Sequence, residues 1–125
     1  MNALKNSVRL VGHLGNDPEF RSFESGKECA RVSIATNERY KIQSGDWADD
    51  VQWHNLIFWG KLAEVARDHL SQGMHVMIEG RLITRTYEDD QEQVHYFTEI
   101  RVGELLILSP KTEEASEFEE TPMSP

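Results

Sequence analysis

The chain has 125 residues, of which 13 are basic and 22 acidic, giving a formal net charge of −9 and a single cysteine. This length suits one domain. The lone Cys29 excludes an intrachain disulfide and a cysteine-based zinc site. No apolar run approaches the ~20 residues of a membrane-spanning helix, and the first residues lack the apolar core of a signal peptide. We therefore expect a soluble intracellular protein.

The negative charge is distributed unevenly along the chain. Residues 109–125 contain Lys111 against five glutamates, are rich in Ser, Thr and Pro, and show no apolar periodicity. This composition predicts a disordered acidic tail after a folded domain at residues 1–108. The tail is either a solubilising extension or a peptide that docks on partners or competes with nucleic acid. A net acidic charge also argues against a simple polyanion binder, because phosphate contacts favour a basic surface.

Along the body of the chain, the period-two alternation of strands recurs. The predicted strands are Ser7–Leu14, with a possible continuation over Glu19–Phe23 after a bend, Cys29–Thr36, Val51–Trp59, Met74–Thr86 and Val94–Val102. The segment Asn37–Asp50 is predicted to be a long polar hairpin. Lys61–Gln72 has the period of a helix, with Gly73 as its stop signal. Three strands, a helix and two strands fit an all-β, five-stranded Greek-key OB-fold barrel with one short helix between strands 3 and 4.

The strand Val51–Trp59 is the most informative segment. Side chains alternate faces along a strand, so Trp53 and Trp59 share one face while Leu56 and Phe58 point to the other. At ~3.3 Å per residue the two tryptophans are about 20 Å apart. Rings spaced in this way can stack on unpaired bases. Parity alone leaves stacking and core packing about equally favoured for either ring.

Several motifs together resemble the bacterial single-stranded DNA-binding protein family, in family order and over residues 6–102. They are Val11-Gly-His-Leu-Gly-Asn-Asp-Pro-Glu19, Ala35-Thr-Asn-Glu38, Trp53-His54, Trp59-Gly-Lys-Leu-Ala-Glu-Val-Ala66, Ile78-Glu-Gly-Arg-Leu82 and Tyr96-Phe-Thr-Glu99. The resemblance implies an OB-fold homotetramer that binds single-stranded DNA without strong sequence preference. It also implies a cytoplasmic, nucleoid-associated protein that has no catalytic activity.

The family's base-stacking aromatics correspond to Tyr40, Trp53, Trp59 and Tyr87 in this sequence. Charge and reach add candidates for phosphate contact, with Arg31 and Arg85 first, followed by Arg39, Lys41 and Arg9. His54 resembles a histidine that the family uses at a subunit interface. Without the resemblance, a single histidine on a strand is more often simply packed.

Two features depart from the family pattern. Acids crowd the two predicted hairpin loops, namely Asp46, Asp49 and Asp50 in one and Glu88, Asp89, Asp90 and Glu92 in the other. They predict weaker, steeply salt-dependent DNA binding, and an unusually large share of the binding energy for base stacking. The chain ends Glu-Glu-Thr-Pro-Met-Ser-Pro, whereas the family's tail usually ends in acids followed by Ile-Pro-Phe. Docking of replication and repair proteins on this tip is therefore not assumed.

Three classes of function can be compared. The first is protection of single strands during DNA replication, repair and recombination, by stacking and counterion release. The second is an OB-fold protein-interaction or primosome-type assembly module with weak DNA affinity, which the acidic loops favour and the four aromatics disfavour. An enzyme is the least favoured, because the five histidines form no motif with metal-ligand spacing. We expect no metal and no cofactor.

Overall fold

The computed structural model describes residues 5–109. Its elements are, in chain order, β1 (Val8–Leu14), β2 (Glu19–Ser22), β3 (Glu28–Lys41), β4 (Trp47–Trp59), α1 (Lys61–His69), β5 (His75–Glu88) and β6 (Val94–Ser109). Residues 1–4 and 110–125 lie outside the described part of the chain, and with them nearly all of the predicted tail. Ser109, assigned to that tail from the sequence, is the last residue of β6.

The strands close into a barrel. The order is β1-β5-β6-β4-β3, and the circle closes through a short antiparallel pairing of β3 with β1, where Leu14 faces Ile34. β2 pairs with β3 directly beyond that point, so β1 and β2 form one bent strand, as the sequence suggested. Counted in this way, the barrel has five strands with the helix between the third and fourth, which confirms the predicted OB-fold.

The barrel interior contains one face of each strand. Buried aliphatic side chains and Phe58 alternate with outward-pointing residues, and α1 packs on β3 and β4 through its buried alanines. The core residues are Leu14, Ala30, Val32, Ile34, Leu56, Phe58, Ala63, Ala66, Leu70, Met74, Val76, Ile78, Ile100 and Val102. Cys29 of β3 is buried and its thiol is free.

The helix is shorter than the sequence predicted. It ends at His69 because Leu70 turns into an extended conformation and buries its side chain in the core. Gly73 has a φ of 91° and lies in the following turn, where its amide donates to the carbonyl of Leu14. The glycine that was interpreted as the helix stop therefore fixes the helix-to-β5 turn against the end of β1.

The strands, in contrast, are longer than predicted. β3 and β4 pair without interruption as far as Lys41 and Trp47, so most of the predicted hairpin Asn37–Asp50 is a two-stranded arm and only residues 42–46 form the loop. β6 joins the predicted fifth strand to the apolar run that follows it. Glu79 faces Glu104 whereas Gly80 faces Val102, so Gly103 is the extra residue of a bulge.

Candidate functional site

The register of β3 and β4 decides which side chains leave the barrel. Residues opposite each other in a ladder point to the same face, and the even-numbered residues of both strands, such as Val32 and Leu56, are in the core. The odd-numbered residues therefore form the outer face. We call this surface the outer face; on β3 and β4 it carries Arg31, Arg39, Lys41, Trp47, Trp53 and Trp59.

The outer face continues across β6 onto β5. Ile57 of β4 pairs with Arg101 of β6, which pairs in turn with Arg81 of β5. The same parity places Arg85 and Tyr87 of β5 on the outer face. Ile57 lies on this face but is fully buried, so the surface is not an uninterrupted row of exposed side chains.

Trp53 is exposed and its ring lies against a glycine. Its side chain is 61% exposed, which excludes a core role. A β-carbon added at Gly15 would approach Cζ3 of the indole to 2.4 Å and the hydroxyl of Ser33 to 2.7 Å. The missing side chain at Gly15 thus lets the edge of the ring rest on the backbone and leaves the rest of the indole accessible. This orientation suits stacking on a flat ligand.

Trp59 has a mixed environment. It is half-buried and stacks on Phe23, with ring centroids 6.1 Å apart and an angle of 26° between the planes. With Arg85 and Arg101 it lines an open groove of about 790 Å³. One part of the Trp59 ring therefore packs within the protein and another part borders the groove, and its stacking on bases stays a prediction.

A buried carboxylate connects Arg31 and Arg85, the two arginines predicted first for phosphate contact. The Glu99 side chain is 0% exposed, and its oxygens lie 3.6 Å from Nε of Arg31 and 2.5 Å from Nη2 of Arg85. Neither oxygen has a well-directed hydrogen bond within the described residues, so it is the charge of the arginines that compensates its burial. Both arginine side chains remain nearly half exposed. Each can therefore present further N–H groups to a phosphate.

Glu99 was missed from the sequence as a site residue. It lies within the motif Tyr96–Glu99, and parity on the predicted strand Val94–Val102 could have placed it on the outer face. Nothing in the sequence, however, pairs it with arginines that precede it by 14 and 68 residues. This contact depends on the barrel bringing β3 and β5 to opposite sides of β6 and β4.

Tyr87 is placed by a small network in the β5–β6 hairpin. It is 55% exposed and stacks on His95, with centroids 5.1 Å apart. Nε2 of His95 lies 2.8 Å from a carboxylate oxygen of Asp89, and the other oxygen accepts from the amides of Gln91 and Gln93. The hydrogen bond with His95, followed by the one from Gln93, lowers the pKa of Asp89. This loop acid therefore has a structural role in the turn.

The remaining aromatic candidate lies on the other side of the arm. Tyr40 pairs with Ala48, and both belong to the even-numbered series. Its ring is 50% exposed but points away from the outer face. Arg39 and Lys41, its neighbours in sequence, are on the outer face instead, where Arg39 forms an ion pair of 3.5 Å with Asp49. The structure thus brings together three of the four predicted stacking residues.

Two other predicted site residues lie elsewhere. Arg9 forms an ion pair of 3.2 Å with Glu79 and lines a separate groove beside Leu106. His54 belongs to the even-numbered series, is half-buried and lies 3.3 Å from the hydroxyl of Thr36. Its assignment to a subunit interface stays a prediction.

A pair of acids also borders the groove beside Trp59. A hydrogen bond with Glu64 raises the pKa of Glu28, with burial and the charge of Glu64 acting in the same direction. Among residues 5–109, no group of three His, Cys, Asp or Glu side chains is arranged to hold a metal ion. In the same part of the chain, no helix is long and apolar enough to cross a membrane.

Comparison with known proteins gives concordant results. Residues 5–108 match the profile of the "Single-strand binding protein family". The chain is 41% identical over 107 residues to Single-stranded DNA-binding protein 1 of Chlorobaculum tepidum, an alignment that covers 85% of this chain and 66% of that protein. The fold is similar to that of the Plasmodium falciparum SSB in its complex with ssDNA, with a TM-score of 0.77 and 24% identity over 83% of this chain and 95% of the other.

Proposed function

Because the chain belongs to the single-strand binding protein family, we propose that it binds and protects single-stranded DNA without strong sequence preference during replication, repair and recombination. The observation that carries the proposal is the outer face, where the exposed aromatic residues Trp53 and Tyr87 accompany the half-exposed side chains of Arg31 and Arg85. In the cell, the protein would act in the bacterial cytoplasm at the nucleoid.

The proposed mechanism is non-covalent. Every base offers a π-face, so stacking on Trp53, Trp59 and Tyr87 tolerates any sequence and contributes about 1–3 kcal/mol per base. Arg31 and Arg85 would bind the phosphates between the stacked bases and release counterions from the strand. No bond is formed or broken. We therefore expect the pure protein to leave single strands intact in the presence of Mg²⁺.

The charges on the outer face favour stacking as the larger contribution. Glu99 neutralises one of the two positive charges of Arg31 and Arg85, and Asp49 pairs with Arg39. Three arginines of the outer face, Arg31, Arg39 and Arg85, are thus already paired with acids of the protein. We infer that the affinity depends on salt less steeply than the sequence predicted from its acidic loops, because Asp49 and Asp89 already interact within the protein.

Self-association as a homotetramer is the second part of the proposal. On the β1–β5–β6 surface, Val11 pairs with Met77 and Met77 with Leu106, so three apolar side chains stand in one row. Val11 is 45% and Leu106 54% exposed. Such an apolar row suits an interface between copies. Mass measurement in solution tests this part, and a concentration-independent monomer would contradict it.

Titration of the protein with oligothymidine at low salt, followed by tryptophan emission and by the anisotropy of a labelled strand, tests the main proposal. We expect quenched emission and a saturable complex. Trp53→Ala in combination with Trp59→Ala should weaken binding strongly. If the double variant binds like the parent, the protein-interaction alternative is favoured instead. Recruitment of replication and repair proteins through residues 109–125 stays a prediction, and binding assays with a chain truncated after Leu108 address it.

A further inference from the structure

The third tryptophan, Trp47, lies outside the hydrophobic core. Trp47 is the first residue of β4, at the tip of the β3–β4 arm, and its side chain is 59% exposed. It is not among the four aromatics that the sequence pointed to. An exposed indole at a hairpin tip contributes little to stability, because it buries little apolar surface.

Trp47 lies on the same face as the two other tryptophans. Trp47, Trp53 and Trp59 follow one another at intervals of six residues on a strand whose pairing with β3 has no bulge. Side chains an even number of residues apart share a face. At ~3.3 Å per residue, each interval is about 20 Å. The three indoles therefore mark a path of about 40 Å along the outer face.

The cations next to Tyr40 in the sequence are in contact with Trp47 in space. The guanidinium carbon of Arg39 lies 5.6 Å from the centroid of the Trp47 ring, and Nζ of Lys41 lies 5.9 Å from it. Lys41 is the direct cross-strand partner of Trp47, whereas Tyr40 faces the other side of the arm. Both distances are within the range of cation–π interactions. An aromatic ring and two cations are thus grouped at the arm tip, where Asp49 pairs with Arg39 and Lys41 contributes the positive charge in excess.

We propose that Trp47, Arg39 and Lys41 form a further nucleotide-binding site, in which a base stacks on the indole and the adjoining phosphate binds the two cations. The inference rests on the proposed function and extends the binding path to the end of the arm. A strand stacked on Trp53 reaches Trp47 after about six nucleotides, at the rise of ~3.4 Å per nucleotide of a stacked strand. This length lies within the ~4–16 nucleotides that one OB-fold covers.

A variant with a single tryptophan tests the contact directly. The chain has three tryptophans, so Trp53→Phe combined with Trp59→Phe leaves Trp47 as the sole indole and retains aromatic rings at the other two positions. Oligothymidine of about 16 nucleotides, the upper end of the OB-fold range, should quench its emission in parallel with the anisotropy change of a labelled strand. If the labelled strand binds while the emission is constant, the inference is wrong although the proposed function stands. If the parent protein binds no strand at all, the proposed function itself fails.

Substitution at the tip gives an independent measure. Trp47→Ala should weaken binding of the same strand by roughly 5-fold or more, the lower end of the contribution of one stacked base. Trp47→Phe is the matched control and should recover most of the loss. Both variants should unfold at the parent temperature, because the side chain is exposed. Unchanged affinity of Trp47→Ala for the strand overturns the inference. A change in Trp47 emission on dilution of the protein without DNA also overturns it, because such a change would place the ring in a subunit contact.

Discussion

Gly15→Ala provides a sharp test of how Trp53 is positioned. The new β-carbon would lie 2.4 Å from Cζ3 of the indole, whereas ordinary contacts begin at 3.4 Å. The ring therefore has to move by about 1 Å or tilt away from the backbone. No residue of the outer face is removed, and the substitution displaces two groups that remain in the protein, the Trp53 ring and the Ser33 hydroxyl.

We expect Gly15→Ala to weaken DNA binding more than it lowers the stability of the fold. The hydroxyl of Ser33, which would lie 2.7 Å from the new methyl group, donates to Asn16, and losing that bond costs about 1 kcal/mol. Replacing glycine lowers the entropy of the unfolded chain and offsets about 0.4–1 kcal/mol of this. For DNA we expect a loss of about 1 kcal/mol, or roughly 5-fold, which is less than the effect of removing the ring.

A double-mutant cycle in the anisotropy assay separates the two explanations. We expect Gly15→Ala to weaken binding of oligothymidine in the parent but to have no further effect in the Trp53→Ala background. Thermal unfolding of all four proteins controls for stability. Equal losses in both backgrounds would show that Gly15 acts independently of the ring, and parent-like binding of Gly15→Ala would show that the position of the ring does not matter. Either result would refute the reasoning.

Three further predictions concern charges. Arg85→Ala should make the plot of log affinity against log salt concentration less steep by about 0.7, the value for one phosphate contact on a single strand. The control Arg9→Ala lies on the separate β1–β5 surface and should leave the slope unchanged. Equal slopes for the two variants would argue against DNA binding on the outer face. Glu99→Gln should lower the free energy of unfolding by about 1–2 kcal/mol, because the partly exposed side chains of Arg31 and Arg85 lose their counter-charge. The melting temperature should fall by about 4–8 °C per kcal/mol. An unchanged melting temperature would contradict this prediction. Asp89→Asn should be less stable than the parent at neutral pH, and the difference should disappear as the pH falls through the lowered pKa of Asp89. The reason is that a carboxylate with a lowered pKa stabilises the fold only while it is ionised. A difference in stability that persists below that pKa would rule out the charge of Asp89 as the cause.

The sequence predicts the fold well because alternation is a local signal. Leu56 and Phe58 are apolar at every second position, and a barrel needs one such face on each strand. The arm was predicted as a long polar hairpin with no strands assigned within it, because residues such as Asp49 and Asp50 are polar on both faces and remove the alternation by which strands are predicted. Its strands are held by backbone pairing and by cross-strand contacts such as Arg39 with Asp49, which leave no periodic pattern in a single sequence.

The site was only partly predictable for a related reason. Parity correctly placed Trp53 and Trp59 on one face, but it could not tell whether that face was open. The contact of Glu99 with Arg31 and Arg85 depends on strands distant in sequence. The contact of Lys41 with Trp47 depends on the pairing of β3 with β4 in the arm, which the predicted hairpin left undefined. Pairing register, which sequence alone does not provide, decides both.

The central claim is that single-stranded DNA lies along the outer face. Photo-crosslinking of oligothymidine substituted with 5-iodouracil, followed by mass spectrometry of the tryptic peptides, tests it most directly. We predict crosslinks to Trp53, Trp59 or Tyr87, and their loss when unlabelled oligothymidine competes. Crosslinks confined to the β1–β5–β6 surface around Val11 and Leu106 would contradict the account, because they would place the strand on the surface that we assign to self-association.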